Sequence, residues 1–211
     1  MSTGNHHMHR TVMVVVLGLA IAVFSGDALA ARLVDVLPVD RQCLVVHFQD
    51  GTVQYDDRAD GADAYHTTGV HDDAYVPYGE PLDTAVAKRP DTFSLWSSEE
   101  KEYGENGKHP VVVHRKSKVW EASYTANMPA MHHWIYLGLP SPLIRGGTYV
   151  LDIDGNTNTD RTRVIFLFDE YALESPSIRI SHLGYEAGAV HKTADVYMWM
   201  GNGGGRDFRP L

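Results

Sequence analysis

The sequence predicts an all-β sandwich with helix confined to short turns, and three observations predict it. Short runs rich in Val, Ile, Tyr, Phe and Trp recur along the chain. Asp-Gly, Asn-Gly, Gly-Gly and proline punctuate them, and no stretch carries a sustained, capped 3.6-residue apolar period. With 211 residues, 44% hydrophobic and 21% charged, the chain lies far from the composition of disordered proteins and is long enough for one real core plus part of another.

Residues 1–30 have the layout of an export signal: a basic stretch ending at Arg10, the apolar run Thr11–Phe24, and the small residues Ala28 and Ala30 before an expected cleavage after Ala30. The apolar run is short for a membrane span, so the mature chain is expected to be secreted, periplasmic or on the cell surface, with no membrane partner after cleavage. The histidines of His6–His9 leave with the signal. Cleavage removes one base, Arg10, from 18 and one acid, Asp27, from 27, so the net charge stays at −9. That sign argues against nucleic acid or an anionic membrane as a partner. The single cysteine, Cys43, forms no internal disulfide and reads as a small buried hydrophobe.

The strands follow in order. LVDVLP is the first. In CLVVHF, Leu44, Val46 and Phe48 fall on one face and Cys43, Val45 and His47 on the other, as in a sheet covered on one side and partly on the other. Gln49–Gly51 reads as a tight hairpin connection to TVQY. The polar stretch Asp56–Arg89 reads as a long insertion over one end of the sandwich. HPVVVHRKSKVW and HHWIYLGL continue the pattern, and in the second His132 and His133 point to opposite faces. PLIRGGTYVLDI supplies a proline-bounded strand end, a glycine pair able to take positive φ, and an alternating strand. RVIFLF follows. At DEYALESPS the pattern breaks, which marks the expected boundary between a sandwich over 31–172 and a second unit over 173–211.

The PLIRGGTYVLDI layout resembles the late strands of bacterial immunoglobulin-like and fibronectin-like modules. The second unit carries a narrower resemblance. Ile178, Arg179 and Ile180, then Leu183-Gly184-Tyr185, a turn at Glu186–Ala189, Lys192 and ADVYMW are similar to the start of the N-terminal immunoglobulin-like domain of family-nine, cellulase-type glycoside hydrolases. The family's usual Asn-Gln pair is replaced by Ser181-His182, and its turn proline by Ala187 or Gly188. The resemblance implies an immunoglobulin-like sandwich followed by the first strands of a second, incomplete immunoglobulin-like domain. It also implies that the module does no chemistry itself and packs beside a helical catalytic barrel encoded further downstream. GNGGGRDF bears a superficial likeness to that family's aspartate motif. It lacks the first Asp and a second carboxylate at controlled separation, so Asp207 is expected in a solvated loop.

Other candidates compete with plainer readings. Asp152, Asp154, Asn156, Asn158 and Asp160 alternate oxygen-bearing side chains as calcium loops do. Thr157 and Arg163 stand where an EF-hand needs glycine and a bidentate Glu, so a looser Ca²⁺ site competes with a simple turn. Asp56, Asp57, Asp60, Asp63, Asp72 and Asp73, with His66 and His71, form a second acidic candidate. No GxSxG elbow positions a serine nucleophile. Trp96 and Trp120 are expected to be more exposed than Trp134 or Trp199, and are the candidates for a carbohydrate platform, because indole faces stack on pyranose rings.

The expected function is therefore a secreted, non-catalytic accessory or leader region of a carbohydrate-active protein, with a polysaccharide or a downstream catalytic domain as partner. The alternative is a free-standing exported carbohydrate- or surface-binding sandwich. An open strand edge adds the expectation of self-association.

Overall fold

The computed structural model describes residues 30–54, 74–123, 128–181 and 183–209. The export signal, the acidic candidates between Asp56 and Asp73, and His182 lie outside the described residues. What is described is all-β, and its only helical elements are 3-10 turns of three residues each.

Four strands form one antiparallel sheet: β1 (Arg32–Asp40), β2 (Cys43–Gln49), β7 (Met128–Gly138) and β6 (Val112–Ser123), in the spatial order β1-β2-β7-β6. A second sheet has the order β5 (Phe93–Trp96), β8 (Thr148–Ile153), β9 (Arg163–Leu167). Between them the two sheets enclose one core. Leu33, Leu44, Val46, Phe48, Ile135 and Leu137 from the first meet Phe93, Leu95, Tyr149, Leu151 and Ile153 from the second, all nearly or fully buried. Alternation selects these residues, since every second side chain of a strand faces the same way. At about 25 cal/mol per Å² removed from water, burial of this many large side chains is the dominant stabilising term.

Two smaller ladders flank the sandwich: β3 (Gly51–Gln54) pairs with β4 (Ala74–Pro77), and β10 (Ile178–Arg179) with β11 (Asp195–Val196). The β3–β4 ladder overturns the hairpin expected at Gln49–Gly51. β2 and β3 do not pair with each other; the chain turns a corner there and leaves one sheet for another. Asp50 is the reason. Its backbone N–H donates to Met131 O, its carbonyl accepts from Tyr78 N, and its buried carboxylate accepts from Leu82 N (3.0 Å) and pairs with His133 (2.9 Å). Gly51 permits the close approach of β4, because a Cβ there would lie 2.7 Å from the carbonyl oxygen of Val76.

The outer face of the four-stranded sheet carries a second apolar cluster. Cys43, Val45 and Tyr136 from the sheet, with Val39, pack under Met198 and Met200, and Phe208 joins them. The glycine-rich GNGGGRDF docks on this face through Gly201, Gly203 and Arg206, while Asp207 stays exposed with its carboxylate paired to Arg209 (2.7 Å). Gly201 adopts φ +65° against the Arg115 carbonyl, Gly203 lies on the His114 ring, and Asn202 Oδ1 accepts from Arg115 N (2.7 Å). Arg206 closes a bidentate pair with the buried Asp40 (2.7 and 3.1 Å). Burial pushes the Cys43 thiol up to about 12, with Asp40 adding to the effect. At the Ser175–Ser177 break, both hydroxyls donate to Val39 O, which ties the segment back to β1.

Candidate binding face

The C-terminal cap covers only part of the outer face, and the uncovered part is aromatic. On β7, alternation sends His132, Trp134 and Tyr136 outward; β2 brings His47 opposite Trp134, and β6 brings Lys116 opposite Trp134 and Lys118 opposite His132. A register shift between Val119 and Glu121 places Trp120 at the bulge. Bulges re-aim side chains and disrupt the ladder locally.

These side chains form a stacked series. The Trp120 ring lies on His132 (centroids 4.8 Å apart, planes 16° apart), His132 meets His47 at a tilt, and His47 lies on Trp134 (4.7 Å, 9°). Nε2 of His47 and Nδ1 of His132 are 2.8 Å apart and share one hydrogen. Burial, then repulsion from His132, His133 and Lys116, lowers the His47 pKa to about 4; burial likewise lowers that of His132. Both rings are thus neutral near neutral pH, and one donates an N–H to the bare nitrogen of the other. Nε2 of His132 has no partner among the described residues.

Two ammonium groups complete the face. Lys116 Nζ lies 4.8 Å from the centroid of Trp134, and Lys118 Nζ lies 5.1 Å from that of Trp120, both within cation–π range. Glu121, the nearest acid along β6, is turned to the β3 corner, where Oε2 accepts from Val53 N (2.8 Å) and Thr52 Oγ1 (3.1 Å). Among the described residues neither lysine has an ion-pair partner.

Of the residues singled out in the sequence, Trp120 is here and 54% exposed. Trp96 is elsewhere. It lies on the outer face of the other sheet, partly buried, with Nε1 donating to Asp152 Oδ2 (2.9 Å), so the two tryptophans share no platform. Trp199, expected to be more buried, is 50% exposed. Trp134, His47, His132, Lys116 and Lys118 went unrecognised as a group. Their trace in the sequence is a pair of matching alternations, Lys-x-Lys-x-Trp from 116 to 120 and His-x-Trp-x-Tyr from 132 to 136.

The candidate calcium loop is a turn between β8 and β9, and its oxygens are spent on separate partners. Asp152 accepts from Trp96 and pairs with Arg163 (2.5 Å), which holds its carboxyl below the usual range. Asp154 caps the turn by accepting from Asn156 N (2.9 Å), Asn158 takes a left-handed φ of 58°, and Asp160 Oδ1 accepts from Leu33 N (2.7 Å). Among the described residues no group of three or more His, Cys, Asp or Glu is placed to hold a metal ion.

Ser117, His133 and Asp50 do come together. Ser117 Oγ is 2.7 Å from His133 Nδ1, and His133 Nε2 is 2.9 Å from Asp50 Oδ2. A nucleophile also needs a void beside it and donors aimed at a developing oxyanion. A cavity of about 640 Å³ lies among Pro38, Arg41, Phe168 and Phe208, and none of the three groups lines it. Arg115 Nη1 donates to the same serine oxygen (2.5 Å), and the three groups read as the polar lock of the Asp50 corner.

The chain matches no protein-family model, no curated protein and no solved structure.

Proposed function

We propose that this protein is an exported, non-catalytic carbohydrate-binding sandwich of immunoglobulin-like type, whose ligand lies on the uncovered outer face of the four-stranded sheet. One observation carries the reading: Trp120 is an exposed indole held in place by its stack on a buried histidine. A ring already fixed loses little freedom when a pyranose stacks on it, and Trp exposes a large apolar area with few rotatable bonds. Trp134 and His47, partly buried and stacked on each other, continue the strip onto β7 and β2. Affinity electrophoresis in gels containing soluble polysaccharides tests it. Trp120→Ala removes the retardation and Tyr171→Ala, an exposed ring set against Arg145, leaves it. Retardation by no polysaccharide removes the reading. Export is tested by N-terminal sequencing of the protein from the periplasm or medium, where the first residue is expected to be Ala31.

A second observation favours a positioning role in a longer carbohydrate-active protein. Between Ile178 and Tyr197, Ile178, Ile180, Leu183, Val190 and Tyr197 are all exposed, Leu183 at 99%, and among the described residues the only ladder there is two residues long. Such an apolar surface suits a packing partner. A reading frame that continues past Leu211 into a helical region with paired carboxylates supports this role; unrelated sequence after a stop codon removes it.

A further inference from the structure

We infer that the ligand of this face is an acidic polysaccharide, its ring carboxylates set against Lys116 and Lys118. The inference rests on the carbohydrate reading above and narrows it to uronate-type sugars. A protein of net charge −9 has two ammonium groups on one aromatic strip, each over an indole and neither with an ion-pair partner among the described residues. Two residues apart on one strand face, they are about 7 Å from each other along the strand. Of the adjoining acids, Glu121 Oε2 accepts from Val53 N and Thr52 Oγ1, and Asp35 Oδ1, opposite His47 on β1, accepts from Val36 N (2.7 Å); neither forms an ion pair with Lys116 or Lys118.

The cations are also held at a cost. Burial lowers the pKa of Lys116, and repulsion from Lys118 and Arg179 lowers it further. An anion arriving between the two lysines relieves that repulsion and satisfies donors that cation–π contact leaves free. A neutral glycan stacks on the same indoles and leaves the ammonium groups as they were. Single-stranded nucleic acid also combines stacking with cations, but its sites run successive bases over several aromatic rings along a basic groove, and this face offers one indole more than half exposed and two lysines.

Titration calorimetry of the full mature chain against polygalacturonate, alginate oligomers, cellohexaose and an oligothymidylate separates these possibilities. Lys116→Gln, Lys118→Gln and Trp120→Ala are the variants, with circular dichroism to confirm folding. The expected result is binding of the two uronates that weakens with salt and drops about tenfold with each lysine variant, as for a charge-assisted hydrogen bond. Lys→Arg at either position should retain it. Cellohexaose bound as well as polygalacturonate, or uronate binding untouched by both lysine variants, overturns the inference and leaves the carbohydrate reading standing. Tighter binding of oligothymidylate overturns it in favour of nucleic acid, and binding of none of the four overturns it as well, the carbohydrate reading then being decided by the wider gel screen above.

Discussion

Asp50 and His133, 83 residues apart in sequence, meet at 2.9 Å with both side chains buried, and their contact fixes the corner where the chain leaves the four-stranded sheet. Removing one partner of a buried pair strands the other. Asp50→Ala is therefore expected to cost about 3–5 kcal/mol and Ser117→Ala, at the far end of the same chain, about 1 kcal/mol, in urea unfolding. A fluorophosphonate probe should leave Ser117 unlabelled by intact mass; stoichiometric labelling would turn the corner into an active site.

The His47–His132 contact gives the protein a pH dependence with a definite sign. The His47 pKa falls from the ordinary value near 6.5 to about 4 on folding, so the unfolded chain takes up the proton first. Its stabilising effect is complete above pH 6.5 and is lost as pH falls towards 4. After allowance for solvent screening of a half-exposed ring, the loss is on the order of 1 kcal/mol. Thermal melts of wild type and His47→Gln between pH 7 and 4 should converge, and parallel curves would refute the assignment.

The cap depends on Arg206. Its bidentate pair with Asp40 joins positions 166 apart, and Asp40 is nearly inaccessible. Arg206→Ala should destabilise by about 1–3 kcal/mol, less than a fully buried pair because the guanidinium is partly exposed. Hydrogen exchange should rise over 198–208 before it rises in β8; equal protection in both proteins would show that the pair does not hold the cap.

Gly201 sits where φ is +65° and a Cβ would collide with the Arg115 carbonyl. Gly201→Ala is expected to cost at least about 1–2 kcal/mol from backbone strain alone. Gly188→Ala, where a Cβ meets open space, serves as the control and should be near neutral in the same thermal melt.

The strands were legible because alternation is a local property. CLVVHF divides as read, with Leu44, Val46 and Phe48 in the main core and Cys43 and Val45 in the second cluster, and His132 and His133 do face opposite ways. β4 and β5 were not anticipated, since four-residue strands carry too few positions for a period to show. Asp50 looked like a turn residue, and its composition is that of one. What makes it a corner is His133, which no local pattern connects to it. The candidate face was half legible: each alternating triplet is visible in sequence, but the register of β6 on β7 and β2 on β7 decides that they share a surface. The cap was illegible, because glycine at 201 and 203 signals freedom locally and close approach only in context.

Cys43 lies in the cluster that Met198 and Met200 close, with its thiol at about 12 and 1% exposed. The chain thus contains a built-in chemical gauge of the cap. A thiol dye reacts at that single sulfur only during the intervals when the segment has lifted, so the labelling rate reads the opening equilibrium without any engineered reporter. Run with and without a glycan, the same clock shows whether occupancy of the aromatic strip is felt by the cap beside it.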